Sequence, residues 1–370
     1  MEIRVTRENL LKGLYLVQGV VERRSPQPIL AHVLIEHEET GIALTATDLE
    51  IGLRGHVEAS VKKAEPITAN ARKLYEIVRE VGGDEIVLKA TGGGWLEVLA
   101  GRSKFKVVSL DPKEFPELPF ASAAKGTAIR IAAGTLREMI DRSLFAVSTD
   151  ETRFTLSGVY VETGEKGTLR MVATDGHRLA LIDRSVANVK LPKGVILPRK
   201  GLLEVRKLLD DNDLTEVTLS IGERDARFQA GAASLFMRLI EGEFPDYRQV
   251  IPKETRVKAT VDRDVLLAAL RRTALLASER SHGVRLGLQP GTLSLSASNP
   301  EQGEASEDLE VSYQGQALAV GFNARYLLEV LGVHAAGDTI ELGLTDEVGP
   351  GVVRGSQDPT YTYVLMPMRL

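Results

Sequence analysis

The sequence predicts an α+β protein made of three tandem copies of one domain, each pairing two helices with a set of strands. Three observations lead there: a long-period internal repeat, helix-like and strand-like apolar patterns recurring in one order, and proline-rich segments at the joints. The repeat is plain in the second helix of each copy. Ala69-Asn70-Ala71-Arg72-Lys73-Leu74-Tyr75-Glu76 returns as Phe322-Asn323-Ala324-Arg325-Tyr326-Leu327-Leu328-Glu329, with a looser copy at Pro198-Arg199-Lys200-Gly201-Leu202-Leu203-Glu204. Ala46-Thr47-Asp48 returns as Ala173-Thr174-Asp175 and as Ala297-Ser298-Asn299. Thr47 and Thr174 lie 127 positions apart, Thr174 and Ser298 124 apart. A step of that size is a domain rather than a solenoid repeat.

Each copy opens on an amphipathic helix. Leu10, Leu14, Val17 and Val21 fall at helical spacing, as do Leu136, Ile140, Leu144 and Val147 in the second copy. Strands follow, among them 32–36 and 42–46 around Gly41, then the repeated helix with Asn70 or Asn323 as N-cap, then further strands. Residues 111–119 and 242–252 are proline-containing connections, so the expected domains are 1–122, 123–252 and 253–370.

Composition narrows the function. The 370 residues are 43% hydrophobic and 26% charged, as folded domains are. Zero cysteines exclude disulfides, cysteine-ligated zinc, iron–sulfur clusters and thiol catalysis, and fit a reducing compartment. Met1-Glu2-Ile3-Arg4 leads into a charged amphipathic stretch without a signal-peptide core, and no apolar run is long enough for a bilayer, so a cytoplasmic location is expected. No phosphate-binding Gly-x-x-x-x-Gly-Lys motif occurs. Gly92-Gly93-Gly94 reads as a hairpin loop, and the six histidines include no pair at helical metal-site spacing. Neither a cofactor nor a metal is expected. Asp48 and Asp175 could be taken for a hydrolase's carboxylate pair, but their equivalent places in the repeat favour one turn used twice.

The net charge of −5 argues against a protein coated for nucleic acid. The six predicted helices, 4–24, 70–82, 134–148, 198–210, 262–280 and 323–331, nevertheless total +7, which leaves −12 elsewhere. Solvated helix faces would account for that, and so would a ring with basic helices inside and strands outside.

Three motifs are specific: Ala173-Thr174-Asp175-Gly176-His177-Arg178-Leu179-Ala180, Phe244-Pro245-Asp246-Tyr247-Arg248, and the terminal Val364-Leu365-Met366-Pro367-Met368-Arg369-Leu370. Through them the chain resembles, over essentially its full length, the bacterial DNA polymerase III beta subunits, or sliding clamps. The resemblance implies three clamp domains with antiparallel sheets and a head-to-tail homodimer closed into a ring. It also implies a non-catalytic role, encircling duplex DNA and tethering the replicative polymerase and repair factors. DNA contacts are expected from Arg24, Arg72, Arg137, Arg199 and Lys200. Asp150 stands where a clamp can offer a polar amide.

The resemblance further implies a groove for short hydrophobic peptides of the polymerase, the ATP-dependent clamp loader, repair polymerases and mismatch-repair proteins. Its walls would be Leu156, Thr174, Gly176, His177, Arg178, Leu179, Pro245, Val250, Val348, Val364, Met366, Pro367 and Met368. Gln249 and Gly349-Pro350 depart from the usual pattern there. The dimer seam would set Phe105 and Val107 against Leu275 and Leu276, residues whose apolar character fits a core equally well. A DNA-free ring-shaped scaffold is the alternative function.

Overall fold

The computed structural model describes residues 2–22, 26–63, 65–118, 127–150 and 152–369. Among the described residues the α-helices are α1 (Arg7–Val17), α2 (Ala71–Glu80), α3 (Ala133–Ser143), α4 (Arg199–Leu208), α5 (Arg263–Thr273) and α6 (Ala324–Val333). They form where local chemistry directs. Thr6 accepts a hydrogen bond from the Asn9 N–H, Asn70 from Lys73, Asn323 from Arg325, and Asp262 from Asp264 and Val265, so each of these helices has a capped start. The two asparagine caps are those expected from the sequence. Their C-terminal ends are served by arginines. Arg7 donates to the carbonyls of Val78 and Arg79, Arg137 to Leu209, and Arg263 to Leu331, so in each repeat the first helix caps the second.

The first helix of each repeat is shorter than its apolar period suggests. α1 ends at Val17, before Val21; α3 ends at Ser143, after which Leu144–Ala146 is a single 3-10 turn and Val147 lies outside. These residues are buried all the same, so their spacing reports packing beyond the helix.

By density of contacts the chain forms two compact units, Met1–Arg137 with Leu197–Leu239, and Glu138–Ile196 with Ile240–Leu370. The first unit holds a five-stranded sheet in the order Ser60–Lys62, Glu2–Thr6, Glu85–Gly92, Trp95–Ala100, Ser103–Val108. It also holds an eight-stranded sheet: Thr127–Ala132, Glu216–Ile221, Asp225–Ala230, Ala233–Arg238, Ile51–Glu58, Gly41–Thr47, His32–Glu38, Ile67–Asn70. A second eight-stranded sheet, lying in the second unit apart from Leu197 and Pro198, has the order Val195–Pro198, Gly158–Thr163, Leu169–Thr174, Arg178–Arg184, Asp358–Leu365, Gly351–Gly355, Thr339–Leu344, Val257–Asp262. The other sheet of the second unit has four strands: Gly303–Glu310, Thr292–Asn299, Gly283–Gln289, Leu318–Asn323.

Each repeat therefore supplies two half-sheets, and each eight-stranded sheet joins halves from consecutive repeats. The first joint pairs Leu235 with Leu53 and Met237 with Ile51; the second pairs Tyr363 with Ala180 and Leu365 with Arg178, all antiparallel. Gly92, Gly93 and Gly94 all have positive φ in a turn between paired strands, the expected hairpin.

Candidate functional site

The site grows from the turn at residues 174–178. Thr174 Oγ1 donates to the Arg178 carbonyl at 2.6 Å and accepts from the Gly176 N–H at 3.1 Å. Asp175 Oδ1 accepts from the N–H groups of His177 and Arg178 at 2.9 and 3.1 Å. Gly176 sits at φ +88°, where a side chain would be strained and its Cβ would fall 2.9 Å from the Arg153 guanidinium. The same scheme recurs at residues 47–51, where Asp48 Oδ1 accepts from the N–H groups of Glu50 and Ile51 at 2.9 and 2.7 Å. Both aspartates hold turns, as their repetition implied.

Arg178 is buried and fully engaged. It donates to Asp175 Oδ2 at 3.0 Å, to Glu329 and to the Phe145 carbonyl at 2.6 Å, and its guanidinium lies 4.2 Å from the Tyr326 ring centre. Burial works against its charge, but Tyr363 and Glu329 outweigh it and hold its pKa above the usual arginine value.

Beside this turn is an apolar pocket of about 140 Å³ lined by Leu156, Thr174, Gly176, Arg178, Leu179, Pro245, Asp246, Tyr247, Val250, Val364 and Met366. Its floor is continuous with a buried cluster of Val172, Leu179, Leu181, Tyr247 and Val364. Tyr247 is anchored from behind: its hydroxyl donates to Glu162 at 2.5 Å and accepts from Arg170 at 3.0 Å, and burial above all pushes its pKa up to about 12. Val250 and Met366 are exposed at the rim. The Met366 N–H donates to the His177 carbonyl at 2.8 Å, which fixes where the terminal segment passes.

Nine of the residues expected for the groove thus meet in one pocket. His177, Val348, Pro367 and Met368 do not line it. His177 supports it through its backbone. Val348 is 78% exposed in a turn held by Asp346, and the Met368 N–H is drawn to the Gly321 carbonyl. Asp246 and Tyr247 were missed, although the Phe244-Pro245-Asp246-Tyr247 motif carried them.

The expected DNA contacts separate by environment. Arg24 lies outside the described residues. Arg199 is exposed in the first turn of α4 and has no partner among the described residues. Lys200 pairs with Asp48 and reaches the Val20 carbonyl at 3.3 Å. Arg137 is held by the Leu209 carbonyl and by Asp210 at 3.6 Å. Arg72 is half-buried, its Nε enclosed without a hydrogen-bond partner among the described residues. Asp150 is exposed and accepts from the Thr152 N–H and hydroxyl at 3.0 and 2.7 Å. With the observed bounds, helices α1 to α6 carry +1, +1, 0, +3, +2 and 0, again +7 within a chain of −5. Of the expected seam residues, Phe105 is 37% and Leu275 76% exposed, and Val107 and Leu276 are half-buried. Among the described residues no cluster of His, Cys, Asp and Glu could hold a metal, and no helix is long and apolar enough to cross a membrane.

A threefold duplicated α+β chain whose helices together carry +7, with an apolar pocket beside the 174–178 turn, fits the class of binding and tethering proteins. Comparison with known proteins names the family. The N-terminal, central and C-terminal domains of the DNA polymerase III beta subunit match residues 1–119, 130–246 and 248–369. The beta sliding clamps of Caulobacter vibrioides and Pseudomonas aeruginosa are each 40% identical, with both chains covered in full. A crystal structure of the Caulobacter crescentus DNA polymerase sliding clamp aligns over the whole of both chains with a TM-score of 0.92 at 38% identity. A Pseudomonas aeruginosa clamp bound to griselimycin does so at 0.91 and 39%. The chain belongs to the DNA polymerase III beta-subunit family. It is a DNA sliding clamp, a processivity factor and not a catalyst.

Proposed function

We propose that two copies of the chain join head to tail into a ring that encircles duplex DNA, and that the apolar pocket tethers partners to it. The observation that carries this reading is the pair of internal joints. They leave two half-sheets unjoined, one ending at the edge strand Ser103–Val108 and the other at Gly303–Glu310. Phe105 occupies the place of Leu235 and Tyr363, and Ala305 that of Leu53 and Ala180, each of which stands opposite an equivalent alanine: Ala46, Ala173 or Ala297. A third joint of the same register sets Phe105 opposite Ala305, Lys106 opposite Glu304 and Val107 opposite Gly303. Aligned charges suit that register. Leu275 takes the place of Phe145, whose ring packs 5.7 Å from that of Tyr363, so Leu275 would meet the second copy's Phe105. Two such seams would close the ring.

Within it the helices would face DNA with weak, sequence-independent phosphate contacts, which tolerate sliding. Arg24 and Arg199 are the proposed contacts; Lys200 and Arg137 have local partners that reduce their share. The pocket would take short peptides with hydrophobic anchors from the replicative polymerase, the clamp loader and repair proteins, and tethering raises their effective concentration at the primer end. The domains would run 1–122, 123–252 and 253–370, and the protein would act in the cytoplasm, with the nucleoid during replication. A DNA-free scaffold is the competing function.

Light scattering should give about twice the 40.3 kDa chain mass. Retention on circular DNA should be lost on linearisation; equal retention on unblocked linear DNA would overturn the topological mechanism. Reversing the charges of Arg24 and Arg199 together should weaken retention, whereas a DNA-free scaffold would lose nothing.

A further inference from the structure

We infer that Arg72 is a seam residue, reaching the Asn299 turn and the adjacent helix-end carbonyl of a second copy. The inference rests on the head-to-tail pairing proposed above. In each internal joint one cation bridges the turn's Asx side chain and a carbonyl at the end of that repeat's first helix. In the first joint it is Lys200, second residue of α4, which binds Asp48 and the Val20 carbonyl; the turn itself offers only Ile51. In the second it is Arg178, from the turn, which binds Asp175 and the Phe145 carbonyl.

The third turn has Asn299 at the equivalent place, accepting only from the Glu301 N–H at 3.0 Å among the described residues, and Gly303 where Ile51 and Arg178 stand. It supplies no cation, so the joint needs one from the facing helix, as the first joint does. The second residue of α2, matching Lys200, is Arg72. Among the described residues its guanidinium has no hydrogen-bond partner, and only its Nε is enclosed by its own chain. The Nη groups, which no described residue occupies, would meet a second copy: Arg72 donates through them to Asn299 Oδ1 and to the carbonyl at Leu275 or Leu276.

The test is a concentration series by sedimentation or light scattering on the full chain, with retention on circular DNA measured separately. Arg72→Ala should raise the dimer Kd about tenfold, the usual range for losing a charged hydrogen bond. Arg72→Lys, which can reach one acceptor, should raise it less. Asn299→Ala should match Arg72→Ala, and the double variant should add little, as coupled partners do. With the Asn299→Ala variant held well above its own Kd, DNA retention should equal wild type. A wild-type dimer whose Kd is untouched by Arg72→Ala overturns this inference alone, and if DNA retention falls as well, Arg72 is a DNA contact. A wild-type chain that stays monomeric throughout overturns the head-to-tail reading with it.

Discussion

The turns at residues 47–51 and 174–178 share a backbone and a hydrogen-bond scheme, yet one lies under a filled joint and the other borders a pocket. At the first, Gly52 is followed into space by Leu118, whose Cδ1 lies 2.6 Å from where a Gly52 Cβ would be. At the second, Leu179 stands in place of Gly52 and Tyr247 in place of Leu118. Tyr247 is tied by Glu162 and Arg170 and forms a wall instead of a plug. Duplication thus supplied two equivalent scaffolds, and exchanging a small–large pair for a large–anchored pair left room for a ligand at only one. The positive-φ position differs as well: Gly176 in the pocket turn, Leu49 at φ +79° in the other.

The largest effect should follow Arg178→Met, which strands the carboxylates of Asp175 and Glu329. Breaking such a buried pair costs about 3–5 kcal/mol, read as a drop in denaturation midpoint together with lost peptide affinity. The matching substitution at the first turn, Ile51→Val, should cost only about 1 kcal/mol by the same measurement.

Next, Gly176→Ala should destabilise by about 1–2 kcal/mol from its left-handed backbone, and should weaken peptide binding measured by titration calorimetry. The converse change, Leu49→Gly, should be close to neutral or stabilising by up to about 1 kcal/mol, because it removes a non-glycine residue from that region. Equal losses from both changes would show that the two turns are not equivalent scaffolds.

The smallest effect is on pH. Burial lowers the pKa of His32, which touches Thr68, and burial with the nearby Arg142 lowers that of His334. A histidine depressed in the folded state binds its proton more readily when unfolded. Stability should therefore be full above the unfolded value of about 6.5 and fall as pH drops below it. Thermal unfolding at pH 7.5 and 5.5 checks the sign, and His32→Gln should reduce the difference.

Much of this could be read before any fold was known. Asn70, Asn323 and the Thr-Asp turns act locally, so their chemistry is written in adjacent residues. The ends of α1 and α3 were overextended because Val21, Leu144 and Val147 keep a helical rhythm while packing from outside the helix. The joints were not legible: Leu235 finds Leu53, and Tyr363 finds Ala180, across nearly two hundred residues without a local marker. Tyr247 escaped notice because its motif marks a connection, and only the anchoring of its hydroxyl by Glu162 and Arg170 makes it a wall.

The two free edges also sort themselves. Ser103–Val108 carries Lys104 and Lys106, whereas Gly303–Glu310 carries Glu304, Glu307, Asp308 and Glu310. Two like edges laid together would oppose lysine to lysine or carboxylate to carboxylate, so a symmetric face-to-face dimer is repelled at either end. Each edge is thus marked by sign for its opposite. A contact between unlike surfaces either closes on itself or propagates as a filament, so the bend of each protomer decides which assembly these edges build.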